Sequence, residues 1–452
     1  MNLEFICGLL MIVLFAVAIS KRWLAPFVGL SIVPLIFAVI YCVATGQSPL
    51  TAFEWAFAGA FGGELTGGTA TSAIMILFAC TYFTFMMKVG LFDPLIIAII
   101  KLVKGDPLKV MVAATCVAGA VSLDGDGAST VLITTAAFVP LFKQLNMRVG
   151  YLAVLIALPT SVFNMMPWGG SFARCISALG LEVPELLAPL VPGLVVVMIY
   201  AIGVGFFLGR KERERLGYDP KAAAHVSAEE IEKMCDIVRN NDPEFKRPHL
   251  AWFNLIVTLG IMVLLVQGLA NSAVLFMAGL GITLVVNLGF NFKIQKNLLD
   301  DCLVEGVSVC AMIVASGFLM GILLYSGMGD AIAAVLASIV PAGAARFIPY
   351  IIAILGIPLL IFTGPDVFYF GLVPVLAQLA AAYGISATTI GVAAMVSLST
   401  FYCSPLIAWI FLLCSRCEIE FADYQKLLIK FALPAFVIYL VVYTLTGGIA
   451  VF

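Results

Sequence analysis

The residues that could do chemistry in this chain stand out because they interrupt apolar sequence. The run SLDGDGAST, residues 122–130, sets two carboxylates, Asp124 and Asp126, between CVAGAV and VLITTAAFV. Beside them Ser122, Ser129 and Thr130 bring hydroxyls, while Gly125 and Gly127 permit a tight turn and close approach of a ligand to the backbone. A second run, SVFNMMPWGGSFAR, carries Asn164, Pro167, Gly169, Gly170 and Arg174. Proline removes an amide donor and glycine loosens the turn, so a helix broken here frees carbonyls on one side and exposes amides on the other. Exposed amides suit a carboxylate, freed carbonyls suit a cation, and the guanidinium fork of Arg174 matches a carboxylate. The theme recurs in FTGPD, residues 362–366, with Thr363, Gly364 and Asp366 and then Tyr369. It recurs again in SLSTFYCSP, residues 397–405, with Ser404 before a proline. Carboxylate, hydroxyl and carbonyl oxygens together suit magnesium or calcium rather than zinc.

Each feature also has a structural reading. The two aspartates could cap a helix in a turn, Arg174 could pair with an acid or snorkel, and the Asn164–Gly170 run could be a packing kink. Energetics favours a ligand, because a lone aspartate at the centre of a membrane helix costs roughly 2.5–3.5 kcal/mol. Three acids at one depth imply water, protons, partners or cations. Facing the single Arg174, Asp124, Asp126 and Asp366 would repel a bare polycarboxylate. The expected cargo therefore enters with positive charge, as a divalent-metal complex or with protons, and Asp124, Asp126 and Asp366 are the expected metal ligands. Asp93 and Asp330 follow Gly-x-x steps and are expected to cap helices.

These runs need elements that carry them into the membrane. Hydrophobic residues make up 63% of the 452 and charged residues 11%, which points to a polytopic all-α membrane protein. The first apolar run, 3–19, lacks a basic leader or small-residue cleavage site and is expected to be a retained helix. The eleven cysteines lie mostly in apolar runs, so C-x-x-C at Cys414 and Cys417 is expected to be packing. Only His225 and His249 occur, both in the central polar stretch, and no G-x-x-x-x-G-K-[ST] points to ATP.

Crossings are expected at 3–19, 24–44, 69–88, 187–209, 251–269, 272–291, 303–326 and 424–446. Two hairpins, 108–143 and 346–382, dip in from opposite faces, and interrupted crossings follow at 148–180 and 387–415. Short segments at 51–61, 91–106 and 330–340 lie at the interfaces. With the N-terminus outside, this path puts every Lys and Arg on the cytoplasmic side except Arg174 and Arg346, as the positive-inside rule asks. Landmarks recur at a spacing near 237: Gly90–Asp93 against Gly327–Asp330, Pro140 against Pro374, Pro167 against Pro405 and Pro192 against Pro434. The expected organisation is a first transmembrane repeat (1–209), a cytoplasmic hydrophilic loop (210–249) and a second, inverted repeat (250–452).

KGDPLK (104–109), SLDGDGAST, NMMPWGGSFAR and YFGLVPVLAQLAAAYGI resemble the citrate-metal ion:proton symporter family of the ion transporter superfamily, over nearly the whole chain. The resemblance implies uptake of citrate or a related di- or tricarboxylate complexed with Mg2+ or Ca2+. Protons would be the coupling ion, with no permanently bound cofactor. It further implies a homodimer in the plasma (inner) membrane whose hairpins and broken helices form an elevator-type mobile part. Ser122, Asp124, Gly125, Asp126, Gly127, Ser129 and Thr130 match the family's first tip, and Asn164, Pro167, Gly169, Gly170 and Arg174 its first helix break. Asp366 and Tyr369 stand at the second tip, where FTGPDVF departs from the family pattern, as does the apolar SLSTFYCSPLIAWIFLL. No nucleic-acid partner is expected.

Two other readings are distinct. One is a proton- or sodium-coupled symporter of another organic anion. The other is an intramembrane aspartyl protease, since Gly327-Met-Gly-Asp330 reads as G-x-G-D; its second acid should follow a tyrosine inside a crossing, and Tyr218-Asp219 lies in the polar stretch instead.

Overall fold

The computed structural model describes residues 3–65, 68–101, 106–125, 127–218, 228–239, 244–267, 269–339 and 341–449. Among these residues the regular structure is helical. The first part of the chain runs α1 (Leu3–Ser20), α2 (Pro26–Ala44), α3 (Leu50–Phe61), α4 (Ala70–Lys88), α5 (Asp93–Lys101), α6 (Pro107–Val121), α7 (Gly127–Gln144), α8 (Val149–Phe163), α9 (Gly170–Leu179) and α10 (Val183–Leu216). After α11 (Ala228–Arg239) come α12 (Ala251–Val266), α13 (Ser272–Leu288), α14 (Phe292–Tyr325), α15 (Met328–Ile339) and α16 (Ala342–Ala345). The chain closes with α17 (Ile348–Phe362), a π-helical turn (Val367–Leu372), α18 (Val373–Ala381), α19 (Ala387–Val396), α20 (Leu398–Phe401), α21 (Ala408–Arg416) and α22 (Phe421–Leu445). Seven of the described helices are long and apolar enough to cross a membrane, so this is a multi-pass membrane protein.

Both hairpins fold. Helices α6 and α7 pack on each other around a 3-10 turn, Ser122–Asp124, and α17 turns back through the π segment into α18. Each turn uses a glycine at φ +84°, Gly125 and Gly364, in the left-handed region that a side chain disfavours. The Gly-x-x-Asp echo falls on matched points as well: Gly90 (φ +84°) and Gly327 (φ +74°) precede the short helices α5 and α15. Two helices are interrupted, α8 to α9 across 164–169, where Pro167 and Gly169 stand, and α20 to α21 across 402–407, at Pro405.

Two packing groups emerge. Helices α1 to α4 and α12 to α14 form one, in which α14 lies against α2, α3 and α4. Its closest seam is glycine on backbone: a Cβ on Gly317 or Gly321 would overlap Ala60 or the Trp55 carbonyl of α3. In the other group α6 and α7 flank α8, α17 and α18 flank α19, and α10 and α22 lie against both broken helices. Every residue of α8 from Leu152 to Val162 is buried, which fits its apolar sequence through Pro159, and the Thr160 and Ser161 hydroxyls that follow bond the Ile156 and Leu158 carbonyls. The second leg of each hairpin also meets the far half of the other broken helix, α7 with α21 and α18 with α9.

Several expectations shift. The 210–249 stretch is not all loop: α10 runs on to Leu216, and α11 rests on α5 and α7 with Cys235 and Val238 buried. Glu212 explains the extension, being buried and held by Arg215 at 2.6 Å and by the Arg148 amide at 3.1 Å. The crossing expected at 303–326 agrees with the apolar span Gly306–Tyr325, and its helix extends eleven residues further back, to Phe292, because KIQKNLLDDCLVEG favours helix. Asp93 opens α5 and pairs with Lys246 from the polar stretch at 2.7 Å. Asp330 sits in the first turn of α15, exposed, rather than before it.

Candidate functional site

The two tips and two breaks are tied together by hydroxyl and indole groups. Ser122 Oγ donates to the Ala118 carbonyl (2.6 Å) and lies 2.9 Å from Thr160 Oγ1 on α8 and 3.3 Å from Thr130 Oγ1 on α7. All three are buried, so these hydroxyls bind the hairpin legs to α8 rather than facing open space. Ser129 is half-buried in the first turn of α7. The backbone of Asp124 ends the 3-10 turn; its side chain and the whole of Asp126 lie outside the described residues.

Trp168 fastens the first break to the first tip. Its Nε1 donates to the Leu123 carbonyl at 2.6 Å, and its ring stacks on Phe83 of α4 with centroids 3.8 Å apart. A Cβ on Gly125 would stand 3.2 Å from the same indole, so glycine serves the close approach as well as the turn. Gly127 is pressed just as hard from the second half of the chain, where a Cβ would overlap the Trp409 ring of α21. In the break itself a Cβ on Gly169 would overlap the Asn164 carbonyl. Asn164 Oδ1 accepts from the Ser171 amide at 3.4 Å, which caps the start of α9.

Arg174 stands one turn into α9. Its Nε donates to Asp366 Oδ1 at 2.7 Å, and Nη1 donates to the Gly170 carbonyl at 2.8 Å. The pair is 13% and 14% exposed, enough to touch water at one edge. It joins the first break to the second tip, across 192 positions of chain. Thr363 Oγ1 bonds the Leu359 carbonyl at 2.8 Å, and Ser404 Oγ bonds the Ile361 carbonyl at 2.7 Å while accepting from the Leu406 amide. Tyr369 is fully buried, with its hydroxyl 3.6 Å from Met395 Sδ. Final-helix groups take up carbonyls left free by the second break: Tyr424 Oη to Tyr402 O at 3.1 Å and Gln425 Nε2 to Cys403 O at 2.6 Å.

Of the expected residues, Arg174 and Asp366 meet directly, Asn164, Gly169 and Gly170 shape the break that leads to Arg174, and Gly125 and Gly127 shape the first tip. Ser122, Thr130, Thr363 and Ser404 hold the tips with their hydroxyls, and Tyr369 packs beneath. Among the described residues no cluster of three or more metal-ligating side chains forms. Reading by sequence passed over Thr160, Trp168 and Trp409. Trp168 sits inside a quoted motif, and an indole beside a proline in a broken helix was signal enough; Thr160 and Trp409 have no local mark.

The citrate transporter family profile matches residues 9–400. The chain is 36% identical over 450 residues to the citrate transporter of Bacillus subtilis (strain 168), covering 98% of this chain and 99% of that one. It is 32% identical over 452 residues to the Mg(2+)/citrate complex secondary transporter of the same organism, covering 99% of each. Among solved structures it shares a fold with the Alcanivorax borkumensis YdaH transporter, at a TM-score of 0.55 and 12% identity over 84% of this chain and 85% of that one.

Proposed function

The chain belongs to the citrate transporter family, and on that premise we propose a secondary active transporter that imports citrate or a related di- or tricarboxylate as a divalent-metal complex, with protons. It is a transporter and not an enzyme, which removes the protease reading. The G-x-G-D run simply opens α15, a short helix packed on α1 and α18.

One observation carries the metal reading. Arg174 is already matched by Asp366, so the carboxylates of Asp124 and Asp126 at the first tip have no basic residue beside them in sequence. Acids at membrane depth are costly, and a divalent ion would bring matching charge along with the anion. The anion's own carboxylates would meet the start of α9 and compete with Asp366 for Arg174. Once displaced, Asp366 is free to take a proton or reach the metal. The relative that carries a Mg(2+)/citrate complex supports this class of cargo.

Matched tips, matched breaks and the crossed contacts of α7 with α21 and α18 with α9 support two inverted repeats. The two packing groups support an elevator motion of the hairpin group against α1 to α4 and α12 to α14, and the family resemblance implies a homodimer. The charge pattern supports an N-terminus outside and a cytoplasmic 210–249, and the transporter family supports a plasma-membrane site. A second reading, symport of another organic anion with protons or sodium, draws on the apolar second break, LIAWIFLL.

Radiolabelled citrate uptake into vesicles decides between them, with magnesium, calcium, other divalent ions or chelator, and with tricarballylate and malate as competitors. The metal reading expects uptake to need a divalent ion, to fall with chelator and in Asp126→Asn, and to collapse with the proton gradient. Uptake indifferent to chelator and retained in Asp126→Asn moves the assignment to the second reading.

A further inference from the structure

The indole of Trp168 is seated in a socket that the hairpin group does not supply. Phe83 of α4 lies on it with centroids 3.8 Å and planes 24° apart, and Phe276 of α13 meets it edge-on at 6.3 Å. Phe276 also stands edge-on to Phe83 at 6.2 Å, while Tyr82 packs against both, 5.4 Å from Phe83 and 6.0 Å from Phe276. Stacked and edge-on pairs are the favoured arrangements of aromatic rings. The Tyr82 hydroxyl is anchored in turn, 2.7 Å from Thr258 Oγ1 of α12. All four rings are buried. Helices α4, α12 and α13, all packed with α14, thus hold a ring that belongs to the first break.

Trp168 makes one polar contact toward each group. Its Nε1 donates to the Leu123 carbonyl at 2.6 Å, within the 3-10 turn that ends at Asp124, and its own carbonyl accepts from Cys80 Sγ of α4 at 3.4 Å. A turn lacks the ladder partners of a helix interior, and here the indole supplies one. That donation has a fixed direction only while the ring plane is held, and Phe83 holds the plane. Helix α4 also packs directly on the 3-10 turn, and Gly125 closes against the same indole. The shape of the first tip therefore passes through Trp168 to rings on the other packing group.

We propose that Trp168 is a positioning residue for the cargo, and that Phe83 and Phe276 act through it to keep the first tip in its binding shape. None of the three rings needs to touch the cargo. Because the socket belongs to the other group, the tip is held in this shape only while the two groups stand in their present register. A displacement that withdraws the indole also loosens the tip, which gives a carrier a means of releasing its cargo after the crossing. The release rests on the transport reading above; the hold on the tip does not.

The test compares the full wild-type chain with Phe83→Leu, Trp168→Phe and the double variant. Uptake of citrate with magnesium into vesicles gives KM and maximal rate, and hydrogen–deuterium exchange without cargo follows peptides covering 118–130, with 359–372 at the second tip as control. Each single variant should raise KM roughly tenfold without lowering the maximal rate, and should speed exchange at the first tip alone. The double variant should be no worse than Trp168→Phe, because Phe83 acts through the indole. Damage to folding alone would instead lower the maximal rate and leave KM in place. Tip exchange that Phe83→Leu leaves unchanged, a KM it leaves unchanged in a chain that takes up citrate, or losses that add in the double variant overturn the proposal. Faster tip exchange in Phe83→Leu, where the wild type takes up no citrate, upholds the hold on the tip and undermines the transport reading alone. Should Phe83→Leu fail to fold, Phe276→Leu is read by the same standard.

Discussion

Arg174 shows how a residue can be found in sequence and its partner missed. A lone arginine after a glycine pair in an apolar run is conspicuous, but nothing local says that Asp366 will meet it, because the contact spans both halves of the chain. The same holds for Gly127, obvious as a turn residue and unreadable as the seat of Trp409. Removing one member of a largely buried ion pair strands the other, at a cost of about 3 kcal/mol or somewhat less at a site with an edge in water. Asp366→Asn and Arg174→Gln should therefore each lower the melting temperature by several degrees. The double variant should regain most of that stability and still fail to accumulate citrate. Full uptake by the double variant would mean that the pair is a fastener and nothing more.

At the level of elements the two hairpins are held differently. The entry to the first is bound by Asp106, which caps α6 through the Leu108 amide and takes a two-pronged contact from Arg213 on the protruding end of α10, with Nε to Oδ1 at 2.7 Å. Its exit is bound through Glu212, Arg148 and Arg215, and through Lys143 with Glu418. Around the second hairpin the ties are hydroxyls, Tyr350 with Thr444 and Tyr383 with the Ala337 carbonyl. Burial pushes the Asp106 carboxyl upward, but Arg213 and the Leu108 amide outweigh it and hold the group below its usual range. A depressed carboxyl contributes stability that is whole above the unfolded value near ~3.9 and is lost as pH falls through the folded value. Asp106→Asn should therefore melt below wild type at neutral pH, with the gap closing as the pH drops from about 5 toward 3. A gap that persists unchanged at pH 3 would assign the loss to packing. Hairpins and breaks were legible because glycine, proline and aspartate punctuate apolar sequence. The lashings were not, because a run such as RKERER reads as solvated until a fold buries Glu212.

For the whole molecule, the least legible feature is the seam of α3 on α14. TAFEWAFAGAF looks like a helix lying on the membrane surface, and nothing in it reveals that Trp55 and Ala60 rest on the backbone of Gly317 and Gly321. Gly321→Leu has no room against the Trp55 carbonyl, and overpacking of this kind costs about 1–3 kcal/mol or more. Faster amide exchange across residues 50–61, with exchange in α6 to α9 unchanged, is the expected signature; a uniform loosening of the chain would contradict it. Backbone seated on backbone leaves α3 and α14 no play, so they behave as a single rail. Along α9 the neighbouring surface is made of softer goods: the Phe83–Trp168 rings lie flat and the Ser177–Ser316 bond is worth about 1 kcal/mol. Flat rings and one weak bond resist displacement less than backbone seated on backbone, so under the elevator reading proposed above the face of α9 is where movement is expected.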